Sequence, residues 1–215
     1  MLATLIAALL AVFPSASSGQ HRPAPGGIEG RVTVRQLPTR VANRYAGSDG
    51  MASREVAPLP VMVFIEGRVA GAGSVASREP EMAQQDTSFQ PPILVVPVGT
   101  TVRFPNHDKF FHNVFSYSKP KRFDLGRYPR GEAKNVTFDK PGAVAVFCEI
   151  HKWMRGAILV VENPYYATVQ ADGTFSIANV PAGKYKVSVW HPERGKKTFN
   201  VTVPQTGNAR IDATI

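Results

Sequence analysis

Three residues with metal-binding side chains lie close together near position 150. Cys148, His151 and Met154 are each separated by two residues, in the segment CEIHKWM. A soft thiolate, an imidazole and a thioether are side chains that hold copper in proteins. A fourth donor has to come from elsewhere in the chain, and the candidate is His112 in the segment FFHNVF.

Copper that carries single electrons needs a ligand set that suits both of its oxidation states. Two imidazoles and a thiolate in one plane, with a weakly bound axial thioether, meet that requirement. Because the geometry changes little when the copper gains an electron, the reorganisation energy is small. A structural zinc site is the alternative, and it is disfavoured because methionine is a poor zinc ligand.

The sequence around these residues indicates how they would be held. Apolar runs at 144–147 and 157–161 predict two strands that anchor both ends of the ligand loop. His112 precedes Cys148 by 36 positions and lies on another predicted strand. The distant ligand would therefore tie the loop to the rest of the sandwich.

Neighbouring side chains would support the ligands and limit the access of water. The amide of Asn113 could hydrogen-bond to the ligand loop, and its backbone could reach the thiolate sulfur. The aromatic residues expected to give a low-dielectric surround are Phe110, Phe111, Phe115, Phe147 and Trp153.

The chain contains one cysteine, so no intramolecular disulfide can form. A lone thiol in an oxidising compartment is a liability unless it is buried or metal-bound. A buried apolar cysteine is the alternative role for Cys148. The adjacent His151 and Met154 favour a metal ligand instead.

The amino terminus predicts export. An apolar run at 2–13 is followed by small residues, which is typical of a secretory signal peptide over residues 1–19. The run is too short for a transmembrane helix. We expect a periplasmic or secreted protein without stable membrane insertion, and an uncleaved amino-terminal anchor is the alternative.

The chain is basic, with a net charge of +9 and a pI near 9.9. A basic surface attracts acidic partners. Nucleic-acid binding is disfavoured because the basic residues are scattered and no helix-turn-helix, zinc-finger or RNP pattern is present. We expect an acidic redox protein as partner. The candidate docking residues are Lys152, Arg155, Lys121 and Arg122. For Lys121 and Arg122, the alternative is that they belong to a solvated loop with no docking role.

Composition and turn signals predict an all-β fold. Eighteen Pro and eighteen Gly punctuate short Val-rich runs, and no long helical pattern is present. This spacing favours a Greek-key sandwich. The expected organisation is a signal peptide at 1–19, a strand and linker at 20–56, a first domain at 57–163 and a small β unit at 164–215.

Residues 61–162 resemble the cupredoxin family, which includes plastocyanin and amicyanin. The motifs VPVGTTVRFPN, FHNV and CEIHKWM carry this resemblance, and the spacing of the last is amicyanin-like. The segments FDLGRYPRGEAKNVTFDKPG and NPYYA are similar to bacterial plastocyanin-like or methylamine-utilisation proteins. The resemblance implies that His112, Cys148 and His151 are equatorial ligands, that Met154 is axial, and that electrons pass through His151. Lys152 departs from the apolar docking patch usual in that family.

The carboxy-terminal unit resembles a carboxypeptidase-regulatory or transthyretin-like sandwich over residues 167–203. The turn signals Asp172–Gly173 and Pro181–Gly183, within alternating strands, carry this resemblance. Two alternatives stay open for the amino-terminal strands. Strands within 28–66 complete this unit, with the cupredoxin part inserted between them, or 61–66 is the first cupredoxin strand.

Taken together, the sequence predicts a secreted type 1 (blue) copper protein that carries single electrons and is not an enzyme. A copper chaperone or scavenger with the same ligands is one alternative, and a binding module without metal is another. A multicopper oxidase is disfavoured, because its further copper sites need several His-x-His pairs and the sequence has none.

Overall fold

The structure, a computed structural model of the 215-residue chain, describes residues 26–35, 58–73 and 79–215. The predicted signal peptide and most of the predicted linker lie outside these residues. The described residues form strands and no helix, which confirms the all-β prediction. None of their segments has the helical length and apolarity needed to cross a bilayer.

Sixteen strands follow one another along the described residues. They are β1 (Gly26–Thr33), β2 (Met62–Ile65), β3 (Ala83–Gln85), β4 (Ser88–Gln90), β5 (Ile93–Pro97), β6 (Thr100–Pro105), β7 (His112–Ser116), β8 (Phe123–Tyr128), β9 (Ala133–Phe138), β10 (Gly142–Phe147), β11 (Arg155–Val161), β12 (Tyr166–Thr168), β13 (Thr174–Val180), β14 (Gly183–His191), β15 (Gly195–Val203) and β16 (Asn208–Thr214).

The strands β3 to β11 form what we call the central unit. Its main sheet has the order β5-β11-β10-β7-β8, and β6 pairs with β9 on its own. Alternate residues of β10, Val144 and Val146, are fully buried together with Phe104 and Phe138 from the β6–β9 pair. This period of two is what a strand needs to bury one face against a core.

The remaining strands form the flanking unit, which draws on both ends of the chain. β1 lies between β13 and β16, and β2 lies between β12 and β14 in a four-stranded sheet that ends with β15. β1 runs parallel to β16, where Gly30 faces Ile211. A Cβ atom at Gly30 would lie 1.7 Å from the carbonyl oxygen of Ile211, so only glycine fits there.

The pairing of β2 bears on the two alternatives for the amino-terminal strands. Val63 lies opposite Ala167 and Val189, both in the flanking unit. The strand at 62–65 therefore hydrogen-bonds with carboxy-terminal strands, and the central unit is inserted between β2 and β12. This is not the pairing expected if residues 61–66 opened the cupredoxin sandwich.

The two units share an apolar junction along β11. Ile158 and Val160 point into the central core, whereas Leu159 and its alternate neighbours face the flanking unit. There they pack with Met62 and Trp190. Burial on both faces explains why β11 is a continuous apolar run rather than an alternating one.

Candidate metal centre

The structure brings together the two histidines and the cysteine singled out in the sequence. The Nδ1 atoms of His112 and His151 lie 3.0 Å apart. The sulfur of Cys148 lies 3.8 Å from His112 Nδ1 and 3.9 Å from His151 Nδ1. Three donor atoms from two segments thus face a common point, as a metal ion requires.

Strand pairing fixes the loop that carries three of the candidate ligands. Phe147 at the end of β10 pairs with Arg155 at the start of β11, so residues 148–154 form a closed loop. Within it, the N–H of Met154 donates to the carbonyl of His151 at 2.8 Å. Phe147 also pairs with Phe115 of β7, the strand that His112 opens. Two remote segments therefore meet at one end of the main sheet.

The candidate ligands differ in exposure. His112, Cys148 and Met154 are buried, with exposed fractions of 0%, 3% and 1%. Met154 belongs to the same core cluster as Cys148. His151 is only half-buried, so it is the ligand candidate nearest to solvent.

The surroundings of Cys148 favour its thiolate form. Burial raises the pKa of the thiol, but hydrogen bonds with His112 and from the backbone N–H groups of Asn113 and His151 outweigh it. The net pKa lies below the ordinary value. A thiolate is the form that binds metals, so the environment prepares this side chain as a ligand.

The two imidazoles are perturbed in opposite directions. Burial lowers the pKa of His112, but its contacts with Cys148 and Asp108 raise the pKa by a larger amount, so the net shift is upward. Burial and the neighbouring His112 both lower the pKa of His151. The anionic neighbours of His112 thus stabilise its protonated form, whereas the surroundings of His151 favour its neutral, metal-binding form.

Asn113 links the ligand loop to the neighbouring hairpin. Its Oδ1 accepts the N–H of Glu149 at 2.8 Å, and its Nδ2 donates to Asp124 at 2.8 Å. Its backbone N–H is directed at the sulfur of Cys148. One residue beside His112 therefore holds the loop and the thiolate together.

Sequence reasoning did not identify Asp108 as part of the site. Its carboxylate lies 2.8 Å from Nε2 of His112, the ring nitrogen that points away from Cys148. A carboxylate is an acceptor, so Nε2 carries the proton and Nδ1 keeps its lone pair for a metal. The signal in the sequence is an acidic residue four positions before His112, in the turn-like segment 106–108. His107 in the same turn is exposed.

The aromatic residues do not form one uniform surround. Trp153 packs on His151 with ring centroids 5.2 Å apart, and Phe110 lies 6.2 Å from the same ring. Phe110 and Phe111 are 58% and 56% exposed, so neither ring seals the ligands from water, and Phe110 is the exposed ring that lies beside His151. Phe147 contacts Phe115 with ring centroids 5.8 Å apart, and neither ring contacts His151.

The four predicted docking residues lie in different places. Lys152 is exposed within the ligand loop, and Arg155 forms an ion pair with Glu193 of the flanking unit. Lys121 and Arg122 precede β8 in the turn that joins it to β7. Because His112 pairs with Tyr128 at the other end of that hairpin, the structure does not bring these two residues to the ligand loop.

His191 has a structural environment in the flanking unit. Nε2 of His191 donates to the carbonyl of Leu59 at 3.1 Å, and Nδ1 accepts the N–H of Glu193. Both ring nitrogens are therefore used within the flanking unit. His21 lies outside the described residues.

Two family models match parts of the chain. Residues 76–161 match the model for copper binding proteins of the plastocyanin/azurin family, and residues 159–211 match polysaccharide lyase family 4, domain II. No curated protein matches the chain. The second match leaves the expected transthyretin-like resemblance of the flanking unit a prediction.

Several solved structures are similar to part of this chain. A Cu-containing nitrite reductase from Thermus scotoductus has 32% identity and a TM-score of 0.38, covering 44% of this chain and 25% of its own. A purple cupredoxin from Nitrosopumilus maritimus has 25% identity and a TM-score of 0.35, covering 38% and 98%. A Cu(I) amicyanin variant has 24% identity and a TM-score of 0.37, covering 46% and 97%. This chain thus spans about a quarter of the nitrite reductase.

The matched copper-binding segment contains both ligand segments of the site. His112, Cys148 and His151 offer two imidazole nitrogens and one sulfur, a soft donor set that suits copper. The family match and this donor group confirm the prediction of copper as the cofactor.

Proposed function

We propose that this protein is a type 1 copper protein that carries single electrons between redox partners. The observation that carries the proposal is the convergence of three donor atoms from His112, Cys148 and His151, all within 3.9 Å of one another. Copper bound there would supply reversible exchange of one electron between Cu(I) and Cu(II).

The protein's contribution is to hold the donors in place. His112 opens β7, and the other two donors lie on a loop closed by β10 and β11, so all three are fixed by one sheet. Donors held by a packed scaffold move little when charge changes at the site. A rigid ligand set therefore supports rapid electron exchange.

His151 is the proposed route by which electrons enter and leave. It is the half-buried ligand candidate, and the exposed ring of Phe110 lies beside it. A partner that covers this ring would approach the imidazole edge without displacing a ligand. We propose an acidic redox protein, drawn to the basic chain and to exposed Lys152.

We propose a carrier rather than an enzyme. Catalytic metal sites keep a position open for water or substrate. Here, two imidazoles and a thiolate, with the buried Met154 of the same loop as the fourth candidate ligand, would fill the positions around one copper ion. The apolar amino-terminal run supports a periplasmic or secreted location.

A redox titration with metal analysis tests the carrier role. The copper-loaded protein should accept and release one electron per chain reversibly and keep its copper through repeated cycles. A copper chaperone or scavenger with the same ligands would instead lose copper to a chelator in the Cu(I) state. Copper loss on each cycle would contradict the proposal.

A further inference from the structure

The turn between β3 and β4 has an unusual backbone. Gln85 pairs with Ser88, so Asp86 and Thr87 alone form the turn. Their φ angles are +52° and +50°. Two-residue hairpin turns of this kind favour Asn and Gly, and a β-branched threonine rarely adopts a positive φ. A conformation of this type persists where surrounding contacts require it.

The first of these contacts is with Asp108. The N–H groups of Asp86 and Thr87 donate to Oδ1 and Oδ2 of Asp108 at 2.7 and 2.8 Å. The same Oδ2 accepts from Nε2 of His112 at 2.8 Å. The N–H of Asp108 in turn donates to Asn106 at 2.9 Å. The turn thus fixes the carboxylate that orients His112.

The second contact is with Trp153, on the ligand loop. Its indole Nε1 donates to the hydroxyl of Thr87 at 3.3 Å. The ring of Trp153 packs edge-on against His151, with centroids 5.2 Å apart. Trp153 is therefore one of three rings, with Phe110 and His112, that restrict the orientation of the half-buried His151.

We propose that the Asp86–Thr87 turn is a positioning element of the metal centre, which fixes His112 through Asp108 and His151 through Trp153. The turn lies outside both ligand segments and reaches both histidines through one intermediate residue each. This inference rests on the proposed copper centre and adds the segment that sets the angle between its imidazoles.

Matched substitutions of Thr87 test the contact with Trp153. Thr87→Val keeps the size and β-branching but removes the hydroxyl, whereas Thr87→Ser keeps the hydroxyl. Loss of a residue that orients a metal ligand typically weakens metal binding by roughly 10- to 100-fold. For Thr87→Val, we expect copper affinity to fall by an amount near the lower end of this range and the Cu(II) EPR spectrum to shift. In Thr87→Ser, both the affinity and the spectrum should recover.

Substitution of Asp108 tests the other arm. Asp108→Asn keeps the shape but removes the negative charge and one acceptor, so Cu(II) binding should weaken by about 100-fold. The reduction potential should rise, because loss of a nearby anion destabilises Cu(II) more than Cu(I). Asp139→Asn is the matched control: its carboxylate pairs with Lys121 in an exposed contact away from the ligands. We expect no change in that variant.

A stability measurement separates positioning from simple folding support. Thr87→Gly relaxes the positive φ but removes the hydroxyl, so the apoprotein should be at least as resistant to denaturant as the unmodified chain. Its copper affinity should nevertheless fall as in Thr87→Val. If the turn had only a structural role, the copper affinity of each variant would instead change in parallel with the unfolding free energy of its apoprotein.

Nitrogen NMR of the apoprotein provides a readout without metal. The unmodified chain should show His112 protonated at Nε2, and Asp108→Asn should disturb this tautomer. Unchanged tautomer, affinity and spectra in Asp108→Asn and Thr87→Val would overturn the inference and leave the carrier proposal intact. If the unmodified protein instead showed no thiolate–copper band, the carrier proposal would fail, and the apoprotein tautomer would still decide the role of the turn.

Discussion

The central and flanking units use the same kind of strand but differ in the role of their buried polar side chains. In the central unit, Asn113 holds the ligand loop and His112 presents a ring nitrogen to the metal position. In the flanking unit, Asn163 donates to the carbonyl of Ile65, and His191 donates to that of Leu59. Buried polar groups must be paired. Asn163 and His191 are thus paired with backbone carbonyls, whereas His112 leaves one ring nitrogen facing the same point as Cys148 and His151.

A matched pair of core truncations, one in each unit, should give the largest effects and should test whether only the central unit supports metal binding. Ile158→Ala in the central core and Ile65→Ala in the flanking core remove the same side chain from sites with 0% and 1% exposure. Each should cost about 2–5 kcal/mol of unfolding free energy, measured by denaturant titration. We expect only Ile158→Ala to weaken copper binding as well. Equal effects on copper affinity would show that the units are not functionally separate.

Copper loading should stabilise the central unit selectively. Free copper at 100 times its dissociation constant should add about 2.7 kcal/mol to the unfolding free energy of a unit that binds only when folded. Calorimetry with and without a chelator measures this shift. His112→Ala should abolish it. An equal shift in a variant that lacks this ligand would mean that copper acts elsewhere on the chain.

Mild acidification should affect the flanking unit through His191. Burial lowers the pKa of this imidazole below its ordinary value of 6.5, so the unfolded chain takes up the proton first. Its contribution to stability is complete above pH 6.5 and is lost as the pH falls below that value. Denaturant titrations at about pH 7.5 and about pH 5.5 measure the loss. In His191→Gln, this part of the pH dependence should disappear.

The smallest effect should come from the ion pair that joins the units at the surface. Arg155 and Glu193 are 44% and 36% exposed, so their contact is screened by water. Arg155→Gln should cost less than about 1 kcal/mol of unfolding free energy. Leu159→Ala, in the apolar junction, should cost about 2–5 kcal/mol. The reverse order would show that charge rather than apolar burial holds the units together.

The sequence predicted the all-β class and copper because both depend on local patterns. Cys148, His151 and Met154 lie within one loop, and the apolar runs around them predicted the strands that close it. His112 was found because it lies in the aromatic and β-branched run FFHNVF, which predicts a strand, and is followed directly by Asn113. Local patterns of this kind can be recognised without knowledge of the tertiary fold.

The features that were missed depend on contacts between remote segments. The parallel pairing of Ile28 with Ala209 joins residues from opposite ends of the chain, and no local pattern encodes its register. Thr87 ends a stretch of small and polar residues without periodicity, which gives no signal of a contact, yet its hydroxyl accepts from Trp153. Phe110 gave an apolar signal that could not show which side of the sheet it faces. Tertiary packing settles each of these points.

The visible absorption and EPR spectra of the copper-loaded protein, with Cys148→Ser as the control, test the central claim most directly. We predict an intense band from charge transfer between the thiolate and Cu(II), which the serine variant lacks because its hydroxyl cannot supply the sulfur. A band of equal intensity in Cys148→Ser, or none in the unmodified chain, would contradict the assignment of these donors to one redox centre.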